Sequence, residues 1–387
     1  MIKQKIETIR PLLESIRHQI HQHPELGFEE VKTADLVAEK LIQWGYQVHR
    51  GLGKTGVIGT LKVGNSHKVI GIRADMDALP IQENNGKKWA SQIPNRMHGC
   101  GHDGHTTMLL GAAKYLAETQ NFDGTIHLIF QPAEEGLGGA DAMLKEGLFK
   151  QFPCDAIFAM HNMPGYPTGH FFFQDGPLMA SQDQVHITIN GCGGHGAMPS
   201  YAIDPVLVAS HITVALQSIV SRNVNPLDAA VITVGAIQAG EAANVIPSSA
   251  LMKLSIRALK PEVRAKLLER IEQLAKSQAE SFGATAEVKH VIGSPPLIND
   301  KTQTEFAYHV AKNTFADKAH YGMQPLMGSE DFSFMLEENP HGCYLVIGNG
   351  EVGQGSCMVH NPGYDFNDDC LVPGAAFWCA LTETFLQ

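Results

Sequence analysis

The run His98-Gly99-Cys100-Gly101-His102-Asp103-Gly104-His105 sets imidazoles, a thiol and a carboxylate between glycines, an unusual composition for a packed segment. Thiolate and imidazole together are the usual ligands of zinc-like ions. Cys100 and His102 lie two positions apart, so an extended segment would place both side chains on one side, whereas a helix would separate them. The run therefore predicts a metal site at a strand end or in a loop. The alternative is a surface loop with incidental histidines.

Segments with strand and helix patterns alternate on both sides of this run. Strands are predicted over residues 56–63, 69–75, 125–130 and 155–161, and helices over residues 33–44 and 106–118. This alternation indicates a layered α/β domain with helices covering a sheet. Site residues in such sheets usually lie where strands end. The acidic and histidine residues at predicted strand ends are Asp75, Asp77, Glu134, Glu135 and His161.

The length of 387 residues exceeds what one hydrophobic core normally supports, so two domains are expected. Strands and two helices between residues 184 and 294 have the extent of a small domain. After Pro295-Pro296 the α/β pattern of the first part returns. We therefore predict a discontinuous catalytic domain, residues 1–183 and 295–387, interrupted by an inserted α+β domain over residues 184–294.

The composition disfavours several classes of protein. The net charge of −11 is spread without a basic stripe, so neither nucleic acid nor an anionic membrane is expected as a partner. The sequence has neither an apolar run long enough to cross a bilayer nor the apolar segment of a secretory signal at its start. Its seven cysteines include no CxxC pair, which argues against a disulfide framework. A cytoplasmic enzyme is the expectation.

Residue type and position select the candidate ligands. A site needs three or four protein ligands per ion, and two ions can share a bridge. Glu134 is expected to face a metal-bound water while its neighbour binds metal, because neighbours in a turn point different ways. Taken singly, a histidine is more often structural, and an acidic pair more often starts a solvated helix. The candidate ligands are Cys100, His102, Glu135, His161 and His360.

Two functions other than metal-dependent catalysis fit the sequence less well. The run Gly51-Leu52-Gly53-Lys54-Thr55 is similar to part of a phosphate-binding loop, but the first glycine of that motif is replaced by Val48. Nucleotide binding is therefore not expected. A metal-storage protein is the other alternative, and it would have no use for Glu134 beside a ligand.

Further segments carry a family resemblance that covers essentially the whole chain. They are His21–Phe28, Arg73–Pro80, Met97–His105, Gln131–Glu135, Gly194–Pro199, Asn244–Pro247 and Gly328–Phe332. The sequence resembles the amidohydrolase branch of the aminoacylase/carboxypeptidase metallopeptidase family. That branch includes hippurate hydrolases, N-acetyl-amino-acid deacetylases and auxin-conjugate hydrolases.

The resemblance implies a metal-dependent amidohydrolase that cleaves N-acyl amino acids, either hippurate-like or N-acetylated, to a carboxylic acid and a free amino acid. A dipeptidase or carboxypeptidase of the same family is the alternative. The resemblance also implies that the inserted domain is a lid that often dimerises, so a homodimer or homotetramer is expected. Two divalent ions (Zn, Mn, Ni or Co) would be held by Cys100, His102, Glu135, His161 and His360, with Glu134 as general base.

Further roles are expected for residues outside the ligand set. The resemblance assigns His195 of the lid to stabilise the oxyanion, often at a neighbouring subunit's site. Asp77 is expected to orient a ligand histidine, since metal-bound imidazoles need a partner for the other nitrogen. Asp75 stands where related peptidases have a histidine ligand, which Cys100 is expected to replace. Asn244 and Arg257 are candidates for binding the substrate's carboxylate or carbonyl; an ordinary pair at a strand edge is the alternative.

Overall fold

Contacts between residues divide the chain into two units, each with its own hydrophobic core. The protein is described here by a computed structural model that covers residues 2–353 and 355–387. Unit 1 comprises Met1–Gly176, Ile298–Gln324 and Phe334–Gln387, and unit 2 comprises Pro177–Leu297 and Pro325–Ser333. The segment expected as an inserted domain, residues 184–294, falls inside the longer stretch of unit 2.

The helices are α1 (Ile2–Thr8), α2 (Arg10–Gln22), α3 (Val31–Gln43), α4 (His102–Thr119), α5 (Gly139–Lys145), α6 (Leu148–Gln151), α7 (Pro205–Asn223), α8 (Pro261–Ser281), α9 (Lys301–Phe315), α10 (Phe332–Glu338) and α11 (Leu371–Phe385). The strands are β1 (Gln47–Leu52), β2 (Gly56–Val63), β3 (Val69–Asp75), β4 (Gly124–Gln131), β5 (Ala156–Pro164), β6 (Phe171–Phe173), β7 (Gly176–Met179), β8 (Gln182–Asn190), β9 (Gly194–His195), β10 (Ala230–Gln238), β11 (Val245–Ile246), β12 (Ser249–Ala258), β13 (Thr285–Ser294), β14 (Leu297–Asn299), β15 (Ala319–Tyr321) and β16 (Gly342–Gly350).

An eight-stranded mixed sheet with the order β1-β2-β4-β3-β5-β16-β6-β15 forms the centre of unit 1. The neighbouring strands β4, β3, β5 and β16 run parallel, and their residues are almost continuously buried. Such runs are typical of parallel strands covered on both faces. Helices α3, α4, α9 and α11 pack against strands of this sheet. The predicted α/β fold is therefore confirmed.

Unit 2 contains a four-stranded antiparallel sheet with the order β10-β12-β8-β13. Burial alternates along β8 and β12, so one face of the sheet is covered and the other is more open. Helices α7 and α8 pack on the covered face, where apolar side chains of all these elements form the second core. Among the described helices, none combines the length and the apolar character that a membrane span requires.

Candidate metal centre

The candidate site lies where the parallel strands β3, β4 and β5 of unit 1 end and where helix α4 begins. His102 is the first residue of α4, so the expectation that it lies at a strand end or in a loop was wrong. The helix begins there because Gly101 adopts a left-handed conformation with φ of 97°. A Cβ atom at this position would lie only 2.1 Å from Oδ1 of Asn162, so only glycine fits.

The structure brings the predicted ligands together with Glu134 in unit 1. Three overlapping groups of the predicted ligands and Glu134 have ligand atoms within 4.8 Å of one another. Cys100 belongs to two of them, one with His102 and His161 and one with Glu135 and His360. The third group contains His102, Glu134 and Glu135. Overlapping groups that share Cys100, His102 and Glu135 suit two ions held close to each other.

Backbone geometry sets the positions of Glu135 and His360. His360 has a left-handed φ of 64°, and its N–H donates to the carbonyl of Gly99 at 2.7 Å. This backbone conformation places the imidazole of His360 beside the carboxylate of Glu135, and the His360 Nε2 lies 3.1 Å from the Glu135 Oε1. The backbone N–H of Glu135 in turn donates to Oδ2 of Asp77 at 2.9 Å.

Two buried imidazoles each have one nitrogen engaged by the protein and the other turned to the cluster. Nδ1 of His102 lies 3.1 Å from Oδ1 of Asp77, and Nδ1 of His161 donates to the carbonyl of Asn162 at 2.6 Å. Nε2 of His161 is 3.3 Å from Sγ of Cys100. Nε2 of His102 is buried and has no hydrogen-bond partner in the described part of the chain. A buried nitrogen without a partner and a mixed sulfur, nitrogen and oxygen donor set both fit a divalent transition metal.

The electrostatics of the cluster also favour a cation. Burial lowers the pKa of His102, but Asp75 and the hydrogen bond to Asp77 outweigh it and raise that pKa to about 10. Burial, reinforced by the charges of Glu135 and Glu134, raises the pKa of the Cys100 thiol well above its ordinary value. An excess of negative charge therefore surrounds these groups, and a divalent ion would compensate it.

Asp75 and His105 form a polar chain that we did not predict from the sequence. Asp75 is fully buried, with Oδ2 at 2.7 Å from Nη1 of Arg73 and Oδ1 at 2.6 Å from Nδ1 of His105. Nε2 of His105 lies 2.7 Å from Oδ1 of Asn162, the residue after the candidate ligand His161. Burial opposes ionisation of Asp75, yet His102, His105 and Arg73 hold its pKa well below the usual range. A signal was present, because His105 lies one helical turn after His102.

Asp103 connects helix α2 to the start of α4 and lies outside the ligand groups. One of its oxygens lies 2.8 Å from Nε of Arg17 and 2.8 Å from Nδ1 of His21. All three side chains are fully buried, so their ionic contacts hold the segment that carries Cys100 and His102. His98 is also buried, and burial lowers its pKa to about 3, which keeps it neutral.

The remaining predicted site residues lie in unit 2. His195 is exposed, and its Nδ1 accepts the N–H of Ala197 at 3.0 Å, so the neutral ring carries its proton on Nε2. The carbonyl of Asn244 accepts the N–H of Gly196 at 2.8 Å, which brings Asn244 next to His195. Arg257 lies on β12, and burial lowers its pKa. Its Nη1 is buried without a hydrogen-bond partner among the described residues.

Known proteins resemble this chain over nearly its full length. Residues 71–384 match the sequence pattern of peptidase family M20/M25/M40. A hippurate hydrolase from Campylobacter jejuni is 47% identical over 375 residues, which cover 97% of this chain and 96% of the relative. An N-acetyl-L-cysteine deacetylase from Bacillus subtilis is 37% identical over 376 residues, covering 96% of this chain and 88% of the relative. The crystal structure of a dinuclear metal binding peptidase of the M20 family, also from Bacillus subtilis, has a TM-score of 0.85 at 33% identity and covers 98% of this chain and 99% of its own.

Proposed function

Because the chain belongs to peptidase family M20/M25/M40, we propose that it is a metal-dependent amidohydrolase of N-acyl amino acids. Its substrates would be hippurate-like or N-acetylated amino acids, cleaved to a carboxylic acid and a free amino acid. The observation that carries this proposal is the position of Glu134. Its carboxylate lies within 4.8 Å of the ligand atoms of His102 and Glu135, where a general base would be needed.

Cys100, His102, Glu135, His161 and His360 are the residues that would hold two divalent ions. Such ions, when bound, polarise an amide carbonyl and acidify water. Asp77 keeps His102 oriented through Nδ1, which leaves Nε2 as the coordinating atom. Asp75 is engaged by Arg73 and His105, so we assign it to support of the site instead of direct ligation. Thiolate with imidazole suits zinc, while manganese, nickel and cobalt stay possible outcomes of metal analysis.

Glu134 moves the proton in this mechanism. Its carboxylate takes a proton from the attacking water, whose oxygen forms a bond to the carbonyl carbon of the amide. The carbon–nitrogen bond then breaks as the same proton passes from Glu134 to the leaving nitrogen. The products are a carboxylic acid and an amine, so atoms and charge balance. One carboxylate serves first as base and then as acid.

Residues of unit 2 are proposed to bind the substrate. With its proton on Nε2, neutral His195 has a donor available for an oxyanion. Nη1 of Arg257, which has no hydrogen-bond partner among residues 2–353 and 355–387, is a candidate partner for the carboxylate of the amino-acid product, and Asn244 is a candidate for the carbonyl. Unit 2 is further proposed to act as a lid through which copies of the chain form a homodimer or homotetramer. We place the enzyme in the cytoplasm.

A substrate panel tests the proposal against a peptidase of the same family. The purified protein is analysed for bound metal and then assayed with hippurate, N-acetyl-methionine and a dipeptide under the same conditions. We expect about two divalent ions per chain and preferential release of amino acid from the N-acyl compounds. Preferential cleavage of the dipeptide would instead establish a dipeptidase. Metal binding without any turnover would leave only a storage function.

A further inference from the structure

Glu30 is a buried carboxylate that lies outside the ligand cluster but contacts the turn that carries the proposed base. It is 0% exposed and precedes helix α3. Its Oε1 accepts the backbone N–H of Ala133 at 2.8 Å, and its Oε2 accepts the hydroxyl proton of Thr55 at 2.6 Å. Burying a carboxylate is costly unless both oxygens are satisfied, and here protein donors meet both. The Ala133 contact links Glu30 to the residue directly before Glu134.

The turn held by this contact has a conformation that its sequence does not favour. Ala133 is fully buried and has a φ of 53°, in the left-handed region that residues with a Cβ atom rarely adopt. Strand β4 ends just before this turn, so the φ of Ala133 decides the direction in which Glu134 and Glu135 leave the sheet. A strained residue persists only where its surroundings enforce it. The hydrogen bond that the N–H of Ala133 donates to Glu30 contributes to holding this conformation.

The segment before Glu30 packs against the same turn. A Cβ atom on Gly27 would lie 3.0 Å from Cα of Ala133 and 2.8 Å from Cδ1 of Leu137, so a side chain here would crowd the turn. The carbonyl of Glu25 accepts the N–H of Ala78, the residue after Asp77, at 2.8 Å. The segment His21–Phe28 and the following Glu30 therefore back both acidic loops of the site.

The glycine-rich run Gly51–Thr55 also acquires a role. Nucleotide binding is not expected for it, and its Thr55 hydroxyl donates to the second oxygen of Glu30. While Oε2 is bound by Thr55, Oε1 is available to accept the N–H of Ala133. The glycine-rich run and the turn at Ala133 are thus connected through one side chain.

We propose that Glu30 is a positioning residue that holds Ala133 in its left-handed conformation and thereby orients Glu134 for proton transfer. The proposal rests on the function proposed above for Glu134. Glu135 has a separate backbone anchor in Asp77, at 2.9 Å. Loss of Glu30 therefore displaces Glu134 more than it displaces the ligand Glu135, and kcat falls while metal content stays the same.

The test compares side chains at position 30 by length and by hydrogen bonding. Glu30→Gln keeps an oxygen for Ala133 and an amide donor for Thr55, so kcat is expected within about threefold of wild type. Glu30→Met removes the acceptor, and kcat is expected to fall by about 10- to 100-fold at unchanged KM and metal content. Glu29→Met, the same change at an exposed neighbour, is the matched control and leaves kcat unchanged. If Glu30→Met does not fold, Glu30→Asp replaces it, because the shorter carboxylate cannot reach both partners.

A second substitution tests the backbone directly. Glycine adopts the left-handed region without penalty, so adding Ala133→Gly to Glu30→Met is expected to recover most of the lost kcat. A merely structural role for Glu30 would not be repaired at position 133. A double variant no better than Glu30→Met overturns the proposal, and so does a folded Glu30→Met or Glu30→Asp enzyme with wild-type kcat.

Hydrogen exchange separates this proposal from the proposed function. The amide of Ala133 should exchange slowly in wild type and at least about tenfold faster in Glu30→Met, with no change in Glu29→Met. Equal exchange in wild type and Glu30→Met overturns the contact itself. If wild-type protein hydrolyses no N-acyl amino acid, the proposed function fails, whereas the exchange measurement still decides whether Glu30 holds the turn.

Discussion

Oδ1 of Asp77 lies 3.1 Å from Nδ1 of His102, while the other oxygen of the same carboxylate accepts the backbone N–H of Glu135. Two candidate ligands from different segments of the chain are therefore held by one buried side chain. The imidazole N–H and the backbone N–H each need a hydrogen-bond acceptor, and only a carboxylate offers an acceptor oxygen to both.

Asp77→Asn should weaken metal binding by about 10- to 100-fold, because its amide group turns a donor toward either the imidazole or the backbone N–H. Metal affinity is measured by competition with a chelator. Asp35→Asn, an equivalent change at an exposed position, serves as the control and should not alter affinity. Equal metal affinities of Asp77→Asn and Asp35→Asn would show that Asp77 does not support metal binding.

Cys100→Ala should abolish activity through loss of metal and not through loss of the fold, since the thiol is a proposed ligand beside His161. Metal content and circular dichroism are measured on the same sample. The exposed Cys192 is the natural comparison, and Cys192→Ala should keep both metal and activity. Full metal occupancy in Cys100→Ala would disprove the assignment.

The two neighbouring glutamates should respond differently to the same substitution. Glu134→Gln should retain its metals and lose about 100-fold or more in turnover, because only proton transfer is removed. Glu135→Gln should instead lose metal, since it removes a candidate ligand that contacts His360. Metal content and steady-state kinetics are measured for both variants. If Glu134→Gln lost metal and Glu135→Gln kept it, Glu134 would be the ligand and Glu135 the general base.

Metal binding should release protons and strengthen as the pH rises. Without a cation, the pKa of Cys100 lies well above its ordinary value and that of His102 is about 10, so both hold a proton at neutral pH. Coordination requires the thiolate and the neutral imidazole, so affinity falls as the pH is lowered below these values. Calorimetry at pH 7 in buffers of different ionisation enthalpy should register about two protons released. Binding without proton release would contradict these protonation states.

His195→Ala should keep its metals and lose roughly 100- to 1,000-fold in turnover, as expected for a missing oxyanion donor. If His195 acts at a neighbouring subunit's site, mixing this variant with Glu134→Gln under subunit exchange should restore part of the activity. His211→Ala, at an exposed histidine of the same unit, controls for nonspecific loss. Subunit exchange verified by mass spectrometry without recovered activity would confine His195 to its own chain or remove it from catalysis.

The sequence predicted those helices and strands whose hydrophobic pattern lies within one short segment of the chain. Strands β2 and β3 match their predicted bounds because each is a short, largely apolar run between turn residues. Helix α11 was not predicted, since it is buried on nearly all sides and so lacks an amphipathic pattern. The start of α4 at His102 was misjudged because the helix begins at a left-handed glycine without a side-chain cap.

At the site, residue chemistry selected the candidate ligands, but not the groups that hold them. The chain from Arg73 through Asp75 and His105 to Asn162 joins β3, α4 and β5. These elements become neighbours through the strand order of the sheet, which local sequence patterns do not encode. The contact between Glu30 and Ala133 joins residues 103 positions apart for the same reason.

Strand β16, which forms near the carboxyl end of the chain, lies between β5 and β6 in the middle of the large sheet. A growing polypeptide therefore leaves one edge of β5 unpaired until residues 342–350 have emerged from the ribosome, and His360 emerges later still. Unpaired strand edges promote association with other chains, which makes this interval the vulnerable stage of biosynthesis. The candidate ligand His360 follows β16 in the chain, so a fragment released before residue 360 lacks one of the side chains proposed to hold the metal ions.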